Sequence, residues 1–154
     1  MQTARAYETA TSLAGGRVLL AGGASTGLSG LFSAPDATNT ASAEVFDPST
    51  GRFTSAGSLP GGGRVDHVAA LLPNGDVLVA GGTDGTDTAH ADAYLYDPAT
   101  NAWSATGSMA VPRAYATATV LSSGSVLIAG GEQALPEGLN GFEVNLSSAE
   151  LYAG

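Results

Sequence analysis

The stretch Val18-Leu19-Leu20-Ala21-Gly22-Gly23 decides the fold, because it occurs three times in this chain of 154 residues. It returns at residues 77–82 as Val-Leu-Val-Ala-Gly-Gly and at residues 126–131 as Val-Leu-Ile-Ala-Gly-Gly. A short run of aliphatic and β-branched residues is typical of a strand that is buried on both faces. Two glycines in a row indicate a point where the chain turns or where another segment comes too close for a side chain. Three copies of the same strand ending predict a repeat protein.

A second repeated segment precedes each glycine pair at a constant distance. In every copy an arginine lies seventeen residues before the first glycine, and a glycine-containing turn lies between the two, at residues 14–16, 73–76 and 122–125. The three arginines are Arg5, Arg64 and Arg113. Glycine and Asn-Gly turns favour tight hairpins, so the constant spacing predicts two antiparallel strands joined by a short turn.

Aromatic residues identify two further strands in the repeat. Phe46, Tyr96 and Tyr152 occupy the third predicted strand, and Phe53 and Trp103 follow seven residues after the first two of them. An Asp-Pro pair separates the aromatics in the first two copies, and it ends a strand because proline cannot donate to a ladder. Four antiparallel strands in a unit of about 50 residues are typical of a propeller blade.

These features together resemble kelch repeats, especially the bacterial and galactose-oxidase-like variety. The resemblance rests on Arg64-x-x-His67, the three glycine pairs, and Tyr96 with Trp103, for which Phe46 and Phe53 are the aromatic equivalents. It implies an all-β fold of kelch-type β-propeller blades, each with four antiparallel strands. It also implies one repeat domain over residues 1–154. The position of His67 holds Glu8 and Ala116 in the other copies, so it is not a uniform ring of ligands.

The blades are expected at about residues 5–60, 64–110 and 113–154, and the third lacks its outer strand. Propellers close with four or more blades, so three blades form a partial or half propeller with uncovered sheet faces. Two copies can close a six-bladed ring as a homodimer, or the remaining blades can belong to a longer chain. A purely structural or engineered half propeller is a third interpretation.

The charge composition of the chain excludes some classes of function. Five basic residues against fourteen acidic ones give a net charge of −9, which excludes a basic face for nucleic acid and disfavours anionic membrane surfaces. We therefore expect a soluble module that binds protein or glycan, without cofactors. The composition is compatible with an extracellular location but does not fix the compartment.

Enzymatic activity is the alternative class. Copper radical oxidases that share the kelch propeller need a cysteine cross-linked to tyrosine and two histidine ligands, whereas this chain has no Cys and only two His. A mutarotase-like acid/base site, which needs Arg, His and carboxylates, stays open as the enzymatic alternative. We expect no catalysis.

Candidate binding residues lie at the start of each first strand. Because related kelch proteins often place such positions at the mouth of the channel, we predict a polar ring of Arg5 with Tyr7, Arg64 with Asp66 and His67, and Arg113 with Tyr115. Arginine and tyrosine suit carboxylates, sugars and peptide carbonyls. Alternatively, each arginine ties its blade to a neighbour by bonding loop carbonyls.

The loops after the glycine pairs are the other candidates, because long variable loops on one rim often carry binding groups. Leu28 and Phe32 lie in the first loop, and Leu139 and Phe142 lie in the third. Equally, these apolar residues can cover neighbouring blades or form a contact between chains. In the short middle loop, Asp84, Asp87 and Asp92 are a possible calcium site, although their spacing is not that of an EF-hand and a solvated acidic loop is the simpler interpretation.

Overall fold

A computed structural model describes residues 1–25, 38–84, 88–134 and 143–153 of the chain. These residues form fifteen strands and one short 3-10 turn at Ala14–Gly16. The strands are β1 (Thr9–Ser12), β2 (Val18–Ala21), β3 (Ala24–Ser25), β4 (Thr38–Asn39), β5 (Ser42–Asp47), β6 (Arg52–Ser58), β7 (Val68–Leu71), β8 (Val77–Ala80), β9 (Ala93–Asp97), β10 (Ala102–Ala105), β11 (Thr117–Val120), β12 (Val126–Ala129), β13 (Glu132–Ala134), β14 (Glu143–Asn145) and β15 (Ala149–Tyr152). None of the helical segments in these ranges is long and apolar enough to cross a bilayer.

Three antiparallel sheets make up the body of the molecule, which confirms the all-β prediction. The first sheet has the order β1-β2-β5-β6, and the second has the equivalent order β7-β8-β9-β10. The third contains β11-β12-β15 in the described part of the chain. Each repeat therefore builds one sheet, with its first strand at one edge and its later strands in sequence order.

The first two strands of each repeat form the same hairpin. The constant arginine-to-glycine spacing is reflected in one register, in which the last residue of the first strand pairs with the first residue of the second. These pairs are Ser12 with Val18, Leu71 with Val77, and Val120 with Val126. The predicted hairpin is confirmed in all three copies.

Two apolar clusters hold the three sheets together. Between the first and second sheets, Leu19 and Val45 meet Val77, Val79 and Tyr96. Between the second and third, Leu78 and Ala80 of β8 meet Val126 and Ile128 of β12. Alternate residues of β8 thus point to opposite neighbours, which explains why this strand reads as a continuous apolar run.

Short hairpins follow the glycine pairs of the first and third repeats. Strand β3 pairs with β4, and β13 pairs with β14. The sequence predicts loops at these segments, because strands of two or three residues show no periodicity. Isolated bridges join Ala6 to Ala24, Val65 to Thr83 and Ala114 to Glu132, so the residue after each arginine pairs with the chain just beyond its own glycine pair.

Candidate functional site

The first and second glycine pairs lie where the backbone of one sheet contacts the backbone of the next sheet. Gly22 and Gly23 have φ of +66° and +96°, and a Cβ on Gly22 would lie 2.8 Å from the carbonyl oxygen of Arg64. The amide of Gly23 donates to that same oxygen at 2.9 Å. Gly82 repeats the bond with the carbonyl of Arg113, also at 2.9 Å. Glycine is required here by both backbone conformation and space, so the pair has a structural role.

The arginine side chains point back into their own sheets. Arg5 donates from Nη1 to the carbonyls of Gly22 and Ser42, both at 2.8 Å, and its Nη2 pairs with Glu44 at 2.8 Å. In the third repeat, Arg113 bonds the carbonyls of Gly130 and Ser148 and pairs with Glu150 at 2.8 Å. We call each such set an arginine cluster. It joins the ends of the second and third strands of one sheet.

The middle repeat forms its arginine cluster with different residues. Here Tyr94 occupies the position of the glutamates, and the carboxylate comes from Asp92, two residues earlier on the same side of the strand. Arg64 forms a forked pair with Asp92 at 2.9 and 3.0 Å and donates to the carbonyl of Gly81. The Tyr94 hydroxyl donates to Asp92 at 2.6 Å, and its ring lies 5.3 Å from the guanidinium carbon.

The carboxylates of these clusters are ionised groups held by their partners. Burial opposes ionisation of Glu44, but the amide of Gln2 and the guanidinium of Arg5 outweigh it, so its pKa lies below the ordinary value. Burial likewise opposes ionisation of Asp92, whereas bonds from Arg64 and Tyr94 lower its pKa. The amides of Ala110 and Val111 and the side chain of Arg113 do the same for Glu150.

This arrangement corrects the prediction that the arginines line a ligand-facing mouth. Residues Arg64 and Arg113 are 0% and 1% exposed, and the side chain of Arg5 is fully buried. The alternative was that each arginine links its blade to a neighbouring blade by hydrogen bonds. This holds for the main-chain carbonyl groups of the arginines but not for their side chains. The carbonyls of Arg64 and Arg113 bond the preceding sheet, while the side chains bond their own.

His67 is also buried and does not belong to a polar ring. It lies between the first two sheets, where its Nε2 is 3.0 Å from the hydroxyl of Thr9. Burial and the positive charge of Arg64 lower its pKa from 6.5 to about 4. The imidazole is therefore neutral at physiological pH, and it cannot reach a ligand on the surface.

The residues that do reach the surface are those two positions after each arginine. Tyr7, Asp66 and Tyr115 share a left-handed backbone with φ of 61°, 56° and 54°. The two tyrosines are 70% and 60% exposed. The amide of Tyr115 donates to the carbonyl of Asp66 at 3.0 Å. This bond joins the segments that precede the first strands of the second and third sheets. We call these three residues the rim triplet.

Asp66 is the one rim residue that is partly buried. Burial raises the pKa of its carboxyl group, and a hydrogen bond with the side chain of Tyr115 offsets part of that effect. A left-handed conformation is rare for residues other than glycine and costs on the order of 1 kcal/mol each, so three equivalent cases mark the rim as a constrained surface. The sequence predicts binding residues at these positions but does not indicate their left-handed conformation.

The calcium candidates are only partly described. Asp92 is used by Arg64, and Asp84 lies 3.3 Å from Nε2 of His90. Asp87 lies outside the described residues, as do the loop candidates Leu28, Phe32, Leu139 and Phe142. Across the residues that the structure does describe, no group of three or more His, Cys, Asp or Glu side chains is arranged to hold a metal ion.

Comparison with known families identifies the repeat. Residues 66–110, which run from the rim residue Asp66 through all four strands of the second sheet, match the kelch motif. The second sheet is a kelch repeat. Kelch repeats form propeller-type modules and commonly mediate protein–protein interaction. No match was found among curated proteins.

The sequence-based predictions do not include the pairing of Glu44, Asp92 and Glu150 with the three arginines. A signal is present in the sequence, since Ala-Glu recurs at residues 43–44 and 149–150, at the same place in the first and third repeats. The middle copy concealed it, because its acid lies at Asp92 and not at the equivalent position. Only the three-dimensional arrangement shows that the two patterns serve the same arginine.

Proposed function

We propose that this chain is a non-catalytic protein-binding module whose ring is completed by a second copy of itself. The observation that carries the proposal is a pair of complementary sheet faces, one at each end of the row of three sheets. Each face contains residues that are buried at the equivalent positions inside the row but are accessible here.

The free face of the first sheet consists of Val18, Leu20, Phe46 and Phe53. The rings of Phe46 and Phe53 pack together at 4.9 Å, yet both are only partly buried. Their equivalents in the second sheet are Tyr96 and Trp103, and Tyr96 is 2% exposed because the first sheet covers it. Val18 is likewise half-buried, whereas Val77 and Val126 are fully buried.

The free face of the third sheet consists of Leu127, Ala129, Ala149 and Leu151. Leu151 is 60% exposed, whereas the equivalent Val45 in the first sheet is 6% exposed. Leu127 is half-buried, whereas the equivalent Leu19 and Leu78 are 1% exposed. The face lies at the far end of the row from the first sheet.

The two free faces correspond to the two surfaces that pack together at the junction between the first and second sheets. Inside the row, a surface containing Leu19 and Val45 packs against one containing Val77, Val79 and Tyr96. The free face of the third sheet corresponds to the former, and that of the first sheet corresponds to the latter. Two copies arranged head to tail with twofold symmetry would bury both free faces of both chains. No free face would remain, so the ring of sheets would be closed.

Backbone groups at the third glycine pair support the same arrangement. A Cβ on Gly130 would meet only the Leu146 carbonyl, at 3.9 Å, whereas Gly22 and Gly81 are crowded by an arginine carbonyl from the next sheet. Among described residues, no backbone carbonyl accepts from the amide of Gly131. In the proposed dimer, that amide donates to the carbonyl of Arg5 in the second copy.

Light scattering tests the assembly. The natural chain should have twice the mass of one chain, because each copy supplies both complementary faces. Leu151→Glu should give the mass of one chain, since it places a charge on the free face of the third sheet. Leu71→Glu is the matched control, because Leu71 is also exposed, at 37%, but belongs to β7 of the second sheet, which is not at an end of the row. A folded natural chain with the mass of one copy would overturn the dimer.

The rim triplet is the proposed contact with a protein ligand. Exposed tyrosines supply a large, rigid apolar surface with a hydroxyl, and such residues are enriched in protein interfaces. The burial of Arg64 and His67 argues against a mutarotase-like acid/base site at this rim. Non-catalytic binding is therefore the function that the accessible groups favour.

Peptide display tests the rim. Peptides selected on the natural chain should lose at least about tenfold in affinity on the double variant Tyr7→Ser, Tyr115→Ser, because two exposed aromatic contacts are removed. Leu121→Ser is the matched control, since Leu121 is exposed but belongs to the hairpin turn of the third sheet. Equal affinity for natural chain and double variant, or enrichment of glycans and no peptides on an array, would overturn the protein-binding proposal.

A further inference from the structure

The Tyr115–Asp66 pair of the rim triplet repeats a unit that binds a guanidinium elsewhere in this chain. In the middle arginine cluster, the hydroxyl of Tyr94 donates to Asp92 at 2.6 Å. That carboxylate forms the forked pair with Arg64, at 2.9 and 3.0 Å, and the guanidinium carbon lies 5.3 Å from the centroid of the Tyr94 ring. A tyrosine whose hydroxyl bonds an aspartate therefore offers a guanidinium two contacts, one with the carboxylate and one with the ring.

The rim pair has the same chemical groups in a more open setting. The side chain of Tyr115 hydrogen-bonds the carboxyl group of Asp66, and the amide of Tyr115 donates to the Asp66 carbonyl at 3.0 Å. Tyr115 is 60% exposed, whereas Tyr94 is 8% exposed. Among the described residues, no arginine or histidine side chain forms an ion pair with Asp66. The pair spans the junction between the second and third sheets, which lies inside the row of sheets.

The carboxyl group of Asp66 differs from those of the arginine clusters because no cation offsets its burial. Burial raises its pKa, since the bond with Tyr115 compensates only part of the cost of burying a charge. Burial also opposes ionisation of Asp92, but the bonds from Arg64 and Tyr94 bring the pKa of that carboxyl group below its ordinary value. A cation supplied by a ligand would give Asp66 the partner that Arg64 gives Asp92.

The distribution of charge along the strands favours a cationic ligand at the rim. Three of the five basic residues are the buried arginines of the clusters. The other two, Arg17 and Arg52, lie at the opposite ends of the strands, since Arg17 precedes the first residue of β2 and Arg52 pairs with the last residue of β5. The half-buried Glu8 and Asp66 lie at the rim end, two or three residues after an arginine of a cluster. The rim therefore attracts positive charge and repels negative charge.

We propose that the Tyr115–Asp66 pair binds an arginine side chain of a protein ligand. The guanidinium forms a forked pair with the Asp66 carboxylate and lies over the exposed ring of Tyr115, as the guanidinium of Arg64 does in the middle arginine cluster. Arginine is favoured over lysine, because a planar guanidinium donates two parallel bonds to a carboxylate and also stacks on an aromatic ring. Arginine recognition rests on the proposed function of the rim, since it names the ligand residue that the rim binds.

Peptides that bind the rim test the choice of arginine. Random hexapeptides displayed on phage are selected on the full chain, and those that lose affinity for the double variant Tyr7→Ser, Tyr115→Ser are sequenced. We expect arginine to be enriched among them. Replacement of that arginine by citrulline, which has nearly the same shape without the charge, should weaken binding at least about tenfold, because charged hydrogen bonds are lost.

The outcomes separate arginine recognition from protein binding in general. Rim-dependent peptides that lack arginine, or that bind equally well with citrulline, would overturn arginine recognition and leave the proposed function in place. A selection that yields no rim-dependent peptide would overturn the proposed function together with it.

A protein variant tests the role of the carboxylate. N-acetyl-arginine amide is titrated into the full chain, and the backbone amide resonances are followed by NMR. We expect saturable shifts at residues 66 and 115, and none with N-acetyl-citrulline amide. Asp66→Asn should abolish the shifts without lowering the unfolding midpoint, because asparagine has the same shape and tolerates the left-handed backbone at this position.

Asp76→Asn is the matched control. Asp76 is also half-buried and belongs to the second sheet, but it lies in the hairpin turn between β7 and β8, at the opposite end from the rim. This variant should show the shifts of the natural chain. Shifts that persist in Asp66→Asn, or that appear equally with the citrulline compound, would refute arginine recognition by the pair.

Discussion

The buried histidine makes the stability of this protein depend on pH, and the size of the effect follows from its environment. His67 is 6% exposed, and burial together with Arg64 lowers its pKa from 6.5 to about 4. In the unfolded chain the imidazole regains its ordinary pKa. Between these two values the unfolded state binds more protons than the folded state, so the free energy of unfolding falls as pH falls from 6.5 towards 4.

The magnitude is about 2.5 kcal/mol between about pH 7.5 and about pH 4.5, since each pH unit in the sensitive range is worth about 1.4 kcal/mol. His67→Gln removes the titration while keeping a polar side chain that can bond Thr9. At neutral pH we expect the variant to lose about 1 kcal/mol through imperfect packing. On acidification the difference in the free energy of unfolding should shrink and then change sign. Only the chain with His67 loses stability, because its imidazole takes up a proton in the unfolded state but stays neutral when folded.

Urea denaturation of both proteins across this pH range measures the difference directly. Subtracting the two curves removes the shared contribution of the carboxylates, which titrate at lower pH. In parallel, the imidazole resonance of His67, assigned by its loss in the variant, should stay that of the neutral form down to about pH 5 in the folded chain. Parallel stability curves, or an imidazole that titrates near 6.5 while the chain stays folded, would refute the reasoning.

Two further predictions concern the sheet junctions and an arginine cluster. Gly81→Ala should cost about 3 kcal/mol or more in a denaturation experiment, because its Cβ would collide with the carbonyl of Arg113, whereas Gly51→Ala, at a turn with nothing close to its Cβ, should cost about 1 kcal/mol for its positive φ alone; equal costs would show that the carbonyl contact is unimportant. Asp92→Asn should cost about 1–3 kcal/mol at pH 7, since Arg64 loses its charged partner. The pKa of Asp92 is lowered, so this stabilisation is complete above its ordinary 3.8 and is lost as pH falls through the folded value; a deficit that already shrinks near pH 6 would contradict the assignment.

The strands could be predicted from sequence because their signals are local and repeated. A buried strand such as β8 is a continuous apolar run, and its hairpin partner lies at a fixed distance. Repetition then removed the ambiguity that a single short apolar run would leave. The short pairs β3–β4 and β13–β14 could not be found this way, since two or three residues do not establish a period.

The burial of the arginines could not be predicted from the same pattern. An arginine at the start of a strand is compatible with a surface position, and its partners lie 17 and about 40 residues away in sequence, as Gly22 and Glu44 do for Arg5. Burial requires that all those partners converge on one guanidinium. Only the folded sheet brings the two carbonyls and the carboxylate together.

The arginine clusters also indicate which residue differences among the three repeats can alter binding without destabilising the fold. A buried guanidinium that loses its carboxylate is strongly destabilised, so the change from glutamate to Tyr94 is tolerable only because Asp92 supplies the charge from the same side of the strand. Variation inside the clusters must therefore occur in compensated pairs. The rim triplet is under a weaker restriction, because Tyr7 and Tyr115 are exposed and the carboxyl group that Tyr115 bonds, that of Asp66, is only partly buried. The second repeat has Asp66 where the other two have tyrosine, which changes the surface while the sheet stays the same. This difference is why we propose that the rim serves recognition and the arginines serve architecture.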